Sequence, residues 1–394
     1  MTDLDGLLAF AERSRLPEGG FGYLGDDGRV LPDRPVETWI VARMTHVFGL
    51  AHLLGRPGAD ELVRHGVSAL TDGPLRDSEH GGWRASTDDD GKAAYPHAFV
   101  MLAGSTAATA GVEGGAELLR AAVDVWQQRF WDDDAGMAVE EWDAAWTRLD
   151  GYRGVNANMH GVEASLAAAD ALGPGARADR LRAQALRTTE RVVHGWARAR
   201  DWRLPEHFDT GWAPLPDYNA EHPADPFQPY GVTIGHQFEW ARLALHVRAA
   251  LGDSHKGSNG IDWLLADAVG LFDAAASRGW AADGHPGFPY TLGWDDRPVA
   301  GARLHWVLCE AIAAAAVLAE VTGQPRYREL GSTWRALGEE RFADPATGNW
   351  RHELTPTGEV GAGTWAGQPD AYHLAQMLLL DGRPVRGSLA AALR

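Results

Sequence analysis

Apolar positions along most of this chain recur at the 3.6-residue spacing of helices, and clusters of Gly, Pro and Asp cut the pattern into twelve segments. They fall at about 3–15, 33–54, 58–74, 92–111, 114–130, 153–172, 176–198, 231–252, 258–277, 298–322, 325–342 and 369–381. Links after even segments are short (LGRPGAD at 54–60, LGPGAR at 172–177, LGDSHKG at 251–257), as in antiparallel helix hairpins. Links after odd segments are long and rich in Gly, Trp and Asp, among them EHGGWRASTDDDG, FWDDDAGMAVEEWD and GWAADGHPGFPYTLGWDD. Six long links alternating with five short ones make an internal repeat with a period of roughly 65 residues. The predicted fold is all-α: an (α/α)6 barrel of twelve helices, formed by residues 1–394 as a single catalytic domain. Its even helices line a pocket, and its long loops gather at one mouth.

Polar residues on the even segments should then converge. The second carries Trp39, Arg43 and His46 on one helical stripe, and the fourth opens with Lys92, Tyr95 and His97. The sixth sets Asn156 and His160 four apart, with Glu163 a turn further. The eighth sets His236 and Glu239 three apart, close enough for the carboxylate to orient the imidazole. The tenth offers Arg303, His305, Trp306 and Glu310, and the twelfth opens with Gln368, Asp370, Tyr372 and His373. A single histidine in an apolar helix is usually a hydrogen-bonded core residue, and a lone tryptophan usually packs. An inward arginine has five donors to satisfy, so the convergence of several such residues points to a functional pocket.

Composition narrows the chemistry. Against 36 basic residues stand 54 acidic ones, a net charge of -18 that repels phosphate backbones and anionic membranes. The acidic start MTDLDGLLAFAERSRLPEGG is unlike a signal peptide, and no apolar run approaches the roughly 20 residues that span a bilayer. The expected setting is cytoplasmic, with a small-molecule substrate, no nucleic-acid or membrane partner, and a monomeric or homodimeric state. The single cysteine, Cys309, rules out an internal disulfide and a thiolate zinc cluster. A Schiff-base lysine would have to be Lys92 or Lys256, the only lysines present. Seventeen tryptophans supply flat rings that suit either a large core or the faces of sugars.

The chain has no H-E-x-x-H, no di-iron pair of E-x-x-H helices, no G-x-S-x-G, no GxxxxGK[ST] and no G-x-G-x-x-G after a strand. Two chemistries remain for a helical pocket lined by His, Arg, Asn and Trp. One is glycoside hydrolysis by loop acids such as Glu140, Glu141, Asp143, Glu206, Asp209, Asp295 and Asp296. The other is proton transfer beside a carbonyl, with a neutral histidine as base and fixed donors around the enediolate oxygens. The inner helices favour the second.

The strings WIVARMTHVFGLA, RGVNANMHGVEASLAA, YGVTIGHQFEWARL, RLHWVLCEAI and PDAYHLAQ lie in order from residue 39 to 377 and cover nearly the whole chain. In them the sequence resembles the N-acylglucosamine 2-epimerase superfamily, and within it the aldose-ketose isomerase branch. That resemblance implies an (α/α)6 barrel and isomerisation without metal or cofactor, D-mannose to D-fructose first. Sulfoquinovose isomerisation or 2-epimerisation of an N-acylglucosamine or cellobiose is the alternative it implies. It makes His236 and His373 the catalytic pair; the mechanism that such a pair suggests has His236 open the sugar ring and His373 move the proton between C2 and C1. Trp39, Arg43, Tyr95, Asn156, His160, Glu239 and Trp306 would line the sugar site. Gln228 stands where the resemblance leads one to expect Arg, and the surroundings of Gln368 differ too. Both fall where contacts to the far end of a sugar would be made.

Overall fold

A computed structural model describes residues 2–252 and 260–394; Lys256 and the first positions of the ninth predicted segment lie outside the described residues. Each of the twelve predicted segments contains a helix: α1 (Leu4–Ala11), α2 (Thr38–Leu53), α3 (Ala59–Thr71), α4 (Ala94–Thr109), α5 (Gly115–Val125), α6 (Val155–Leu172), α7 (Ala176–Thr189), α8 (Ile234–Leu251), α9 (Trp263–Gly279), α10 (His305–Thr322), α11 (Pro325–Arg341) and α12 (Tyr372–Leu380). A further short helix, α13 (Leu389–Leu393), was missed by the apolar pattern; the Ser388 side chain caps it by accepting from Ala391 N–H.

The predicted even helices start too early. Lys92–Ala93, Val232–Thr233 and Arg303–Leu304 are two-residue strands, each pairing antiparallel with a strand from a long loop: Glu141–Trp142, Thr291–Leu292 and Glu353–Leu354. Apolar content there looked helical, but the backbone is extended because its N–H and C=O groups are spent on the loop. Each such strand fixes the first turn of the helix after it.

The described residues form two compact units. One comprises Met1–Leu7, Thr189–Gln368 and His373–Val385; the other comprises Leu8–Thr188, Pro369–Tyr372 and Arg386–Arg394. In the 8–188 unit, α4 packs between α2 and α6, while α3 lies on α2 and α5 on α4. In the 189–385 unit, α8 packs on α10, with α9 on α8 and α11 on α10. Burial separates the two kinds of helix. α8 is buried at every position from Ile234 to Val247, whereas α11 buries only Tyr327, Trp334 and Gly338. A helix buried all round must satisfy its polar residues internally, which is why the even helices carry the ion pairs described next. α10, with 18 residues and mean hydropathy 1.5, is the one described helix long and apolar enough to cross a membrane; 72% of it is buried within the protein, as in a core helix.

Candidate active site

In the 189–385 unit two histidines stand on one indole. His236 (α8) and His373 (α12) have ring centroids 5.2 and 5.6 Å from that of Trp306 (α10), tilted by 38° and 36°. Each presents Nδ1 to a buried carboxylate. His236 Nδ1 lies 2.9 and 2.8 Å from the two oxygens of Glu206, and His373 Nδ1 lies 2.8 Å from Glu310 Oε1. With an ionised carboxylate as acceptor, Nδ1 carries the hydrogen and the lone pair of the neutral ring sits on Nε2. Arg242 donates to Glu310 Oε2 through Nε (3.0 Å) and to Glu239 Oε1 through Nη2 (3.4 Å). Arg242, Glu239 and Glu310 are all at most 2% exposed.

The local sequence explains this packing. A Cβ on Gly235 would lie 2.2 Å from the Trp306 indole, so only glycine lets α10 bring that ring beside His236. Glu206 precedes the strand His207–Phe208, and His207 Nε2 is anchored 2.8 Å from the Pro229 carbonyl oxygen. The expectation that Glu239 orients His236 is therefore corrected. Glu206, thirty residues away in a long loop, holds His236, while Glu239 bonds Arg242 on its own helix. Spacing along one helix carries no information about a loop that folds back onto it. Arg242 was missed, although its place three residues after Glu239 was a readable signal.

The 8–188 unit holds a second cluster. Arg43 (α2) donates to Asp370 Oδ2 (3.0 Å) and to the Tyr95 hydroxyl (2.7 Å), and its guanidinium lies 4.3 Å over Phe99 and 4.6 Å over Tyr372. Burial works against the Arg43 charge, but Tyr95, Asp370 and Tyr372 more than offset it and hold its pKa above the ordinary value. The Tyr372 hydroxyl donates to Glu163, and the His160 ring lies 5.2 Å from Tyr95. Trp39 donates through its indole N–H to Glu37 and flanks Arg43, 5.1 Å from the guanidinium carbon. Asn156 is half-buried one turn before His160 on α6. His46 sits deeper: its Nδ1 is 2.7 Å from Thr106 Oγ1, and burial lowers its pKa to about 4, so it is neutral at pH 7.

Other singled-out residues are structural. Lys92 forms a 2.6 Å ion pair with Asp77; both are buried, and neither takes part in the clusters above. His97 Nδ1 is 2.6 Å from Ala93 O, its Nε2 accepts from Trp83 N–H, and burial lowers its pKa to about 3. Arg303 spends its donors on Asp283 and the carbonyls of Pro286, His285 and Gly301, and His305 stacks on His352 at 3.8 Å. Four of the loop acids are spent in the same way. Asp143 and Asp209 close turns, Asp296 pairs with Arg203, and Glu140 accepts from Gly154 N–H. Glu239, Glu310 and His373 bring ligand-type atoms within 4.8 Å of one another, a grouping that could hold a cation; Arg242 already supplies a positive charge to both carboxylates.

These hairpins of buried even and half-buried odd helices make the fold that of the (α/α)6 barrels. A crystal structure of D-mannose isomerase superposes with a TM-score of 0.85 at 26% identity, covering 96% of this chain and 95% of that one. The chain is 50% identical to a D-mannose isomerase of Thermobifida fusca over 98% of its length and 94% of the relative's, and 46% identical to one of Pseudomonas cannabina pv. alisalensis over 98% and 92%. The family description N-acylglucosamine 2-epimerase (GlcNAc 2-epimerase) matches residues 19–377, a stretch that runs through both units. The chain belongs to the N-acylglucosamine 2-epimerase family.

Proposed function

We propose that this protein is an isomerase that interconverts D-mannose and D-fructose, with His236 and His373 as its catalytic pair. The observation that carries the reading is that both imidazoles share one Trp306 wall while each rests its Nδ1 on a buried carboxylate. Such a carboxylate fixes the tautomer, so each ring offers Nε2 to a substrate. The similarity to D-mannose isomerases over nearly the whole chain supports the substrate.

A closed pyranose has no acidic C2 hydrogen, so the ring must open first. His236 Nε2 shuttles the proton between the ring oxygen and the anomeric hydroxyl. His373 Nε2 then takes the C2 proton of the open-chain aldose, leaving a cis-enediolate. The C1 oxygen gains the proton that the C2 hydroxyl gives up, and His373 returns its own proton to C1, so that C1 becomes the alcohol and C2 the ketone. Trp306 excludes water from both rings. Trp39, Arg43, Tyr95, Asn156, His160 and Glu239 keep the sugar-binding role implied by resemblance.

We propose that no metal takes part, so turnover should survive EDTA. Purified protein is incubated with D-mannose and EDTA between about pH 6 and 9, where a histidine base operates, and followed by NMR beside lyxose, glucose, sulfoquinovose, cellobiose and N-acetylmannosamine. Fructose from mannose as the fastest reaction supports the reading. No fructose at any pH, or a faster epimerisation of a larger sugar, ends it.

A further inference from the structure

We propose that Arg242 is a positioning residue for His373, acting through Glu310 to keep the hydrogen on Nδ1 and the lone pair on Nε2. This rests on the reading of His373 as the base. Glu310 lies between the two, with Oε1 2.8 Å from His373 Nδ1 and Oε2 3.0 Å from Arg242 Nε. A carboxylate that is 0% exposed is costly to keep charged without a partner, and a guanidinium, never deprotonated in a protein, supplies that partner at every pH. Arg242 therefore holds Glu310 in its acceptor-only form, which admits only the Nδ1–H tautomer of His373.

The same guanidinium reaches Glu239, three residues earlier on α8. Two buried carboxylates sharing one cation leave one negative charge in the cluster, and an imidazolium on His373 neutralises it when the ring takes up the substrate's proton. With Arg242 gone, Glu310 would draw a proton itself and become a donor, and the ring would be free to turn its hydrogen to Nε2, where it cannot accept one.

The test uses full-length protein with 15N-labelled histidine, the His373 resonances assigned by their loss in His373→Asn. Wild type should show the Nδ1–H tautomer at His373. Arg242→Met should lose that signature and about 100-fold in kcat, with KM for mannose changed less than about threefold. Arg242→Lys, which keeps the charge, should retain the tautomer and recover at least about tenfold of the lost kcat. Should Arg242→Met fail to fold, the wild-type tautomer and Arg242→Lys decide alone. A wild-type His373 protonated on Nε2 overturns the proposal. So does an Arg242→Met protein that loses kcat with its tautomer intact, or an Arg242→Lys protein that loses the tautomer. The tautomer readout needs no substrate, so wild type that fails to isomerise mannose would sink the proposed function while leaving the role of Arg242 to the NMR.

Discussion

His236 and His373 are given the same hydrogen bond by two different constructions. The carboxylate of His373 comes from a buried helix position, Glu310, and is tied to Arg242. That of His236 comes from the loop before α8, where Glu206 turns both oxygens to the imidazole. A carboxylate shared with a guanidinium has less charge to spend on stabilising an imidazolium than one that faces the ring with both oxygens. The arrangement suits a ring that accepts a proton and passes it on at His373, and one that carries a proton to and from oxygen at His236.

The comparison breaks most sharply at the rings. His373→Asn should abolish isomerisation, a loss of about 10⁴-fold or more, together with exchange of the C2 hydrogen in deuterated water. His236→Asn should recover part of its lost rate on a substrate with a larger open-chain fraction. If both variants lose C–H exchange completely with such a substrate, the division of labour is wrong and a two-base mechanism replaces it. One step smaller is the pair of carboxylates. Glu310→Gln should cost about 10² to 10³ in kcat, because an amide can hold the wrong tautomer, and the loss should fall on C–H exchange. Glu206→Gln should instead lower overall turnover and spare exchange in the open-chain substrate. Equal losses of exchange in the two variants would erase the distinction. Smaller again is Gly235→Ala, whose methyl displaces Trp306 from beside His236. Overpacking of this kind costs about 1 to 3 kcal/mol of stability, and kcat should fall for both half-reactions since both rings lean on that indole. Unchanged stability and rate would show that the wall is not needed.

What the sequence made legible follows the same division. Residues whose function comes from a helical stripe, such as Arg43 with Trp39, or His236 and Trp306 in their apolar runs, could be placed because the helix fixes their neighbours. The twelve helices were readable for the same reason. Glu206 could be named only as one loop acid among seven, because nothing in its spacing tells that the His207–Phe208 strand returns it to α8. The early helix starts failed for a related cause: the strands at 92–93, 232–233 and 303–304 owe their extended backbone to partners about 50 to 60 residues away in three loops, beyond any local period. Glu239 shows the converse error. It was assigned to the nearest imidazole, while the cation that claims it lay one turn onward.

The smallest expected effect tests loop against helix away from the histidines. Glu140, in the loop after α5, accepts from Gly154 N–H through Oε2 (3.1 Å), while its backbone carbonyl accepts from Ala94 N–H (2.7 Å); it thereby ties the starts of α6 and α4, which carry Asn156 and Tyr95. Burial pushes its carboxyl up from 4.5 to about 8, against the Gly154 N–H, which favours the anion, and with Glu141 pushing the same way. The folded form therefore binds a proton that the unfolded chain has released between about pH 4.5 and 8. With more protons bound in the folded state, stability is full below the unfolded pKa and is lost as pH rises through the folded one. Glu140→Gln keeps an acceptor for Gly154 and has no proton to lose, so its stability should fall less than wild type between pH 5 and 9. In thermal melts the two curves should draw together or cross as pH rises, by roughly 2 °C for each kcal/mol of difference. Parallel curves would mean that Glu140 is ionised in the folded protein and that the loop holds the two helix starts through its backbone alone.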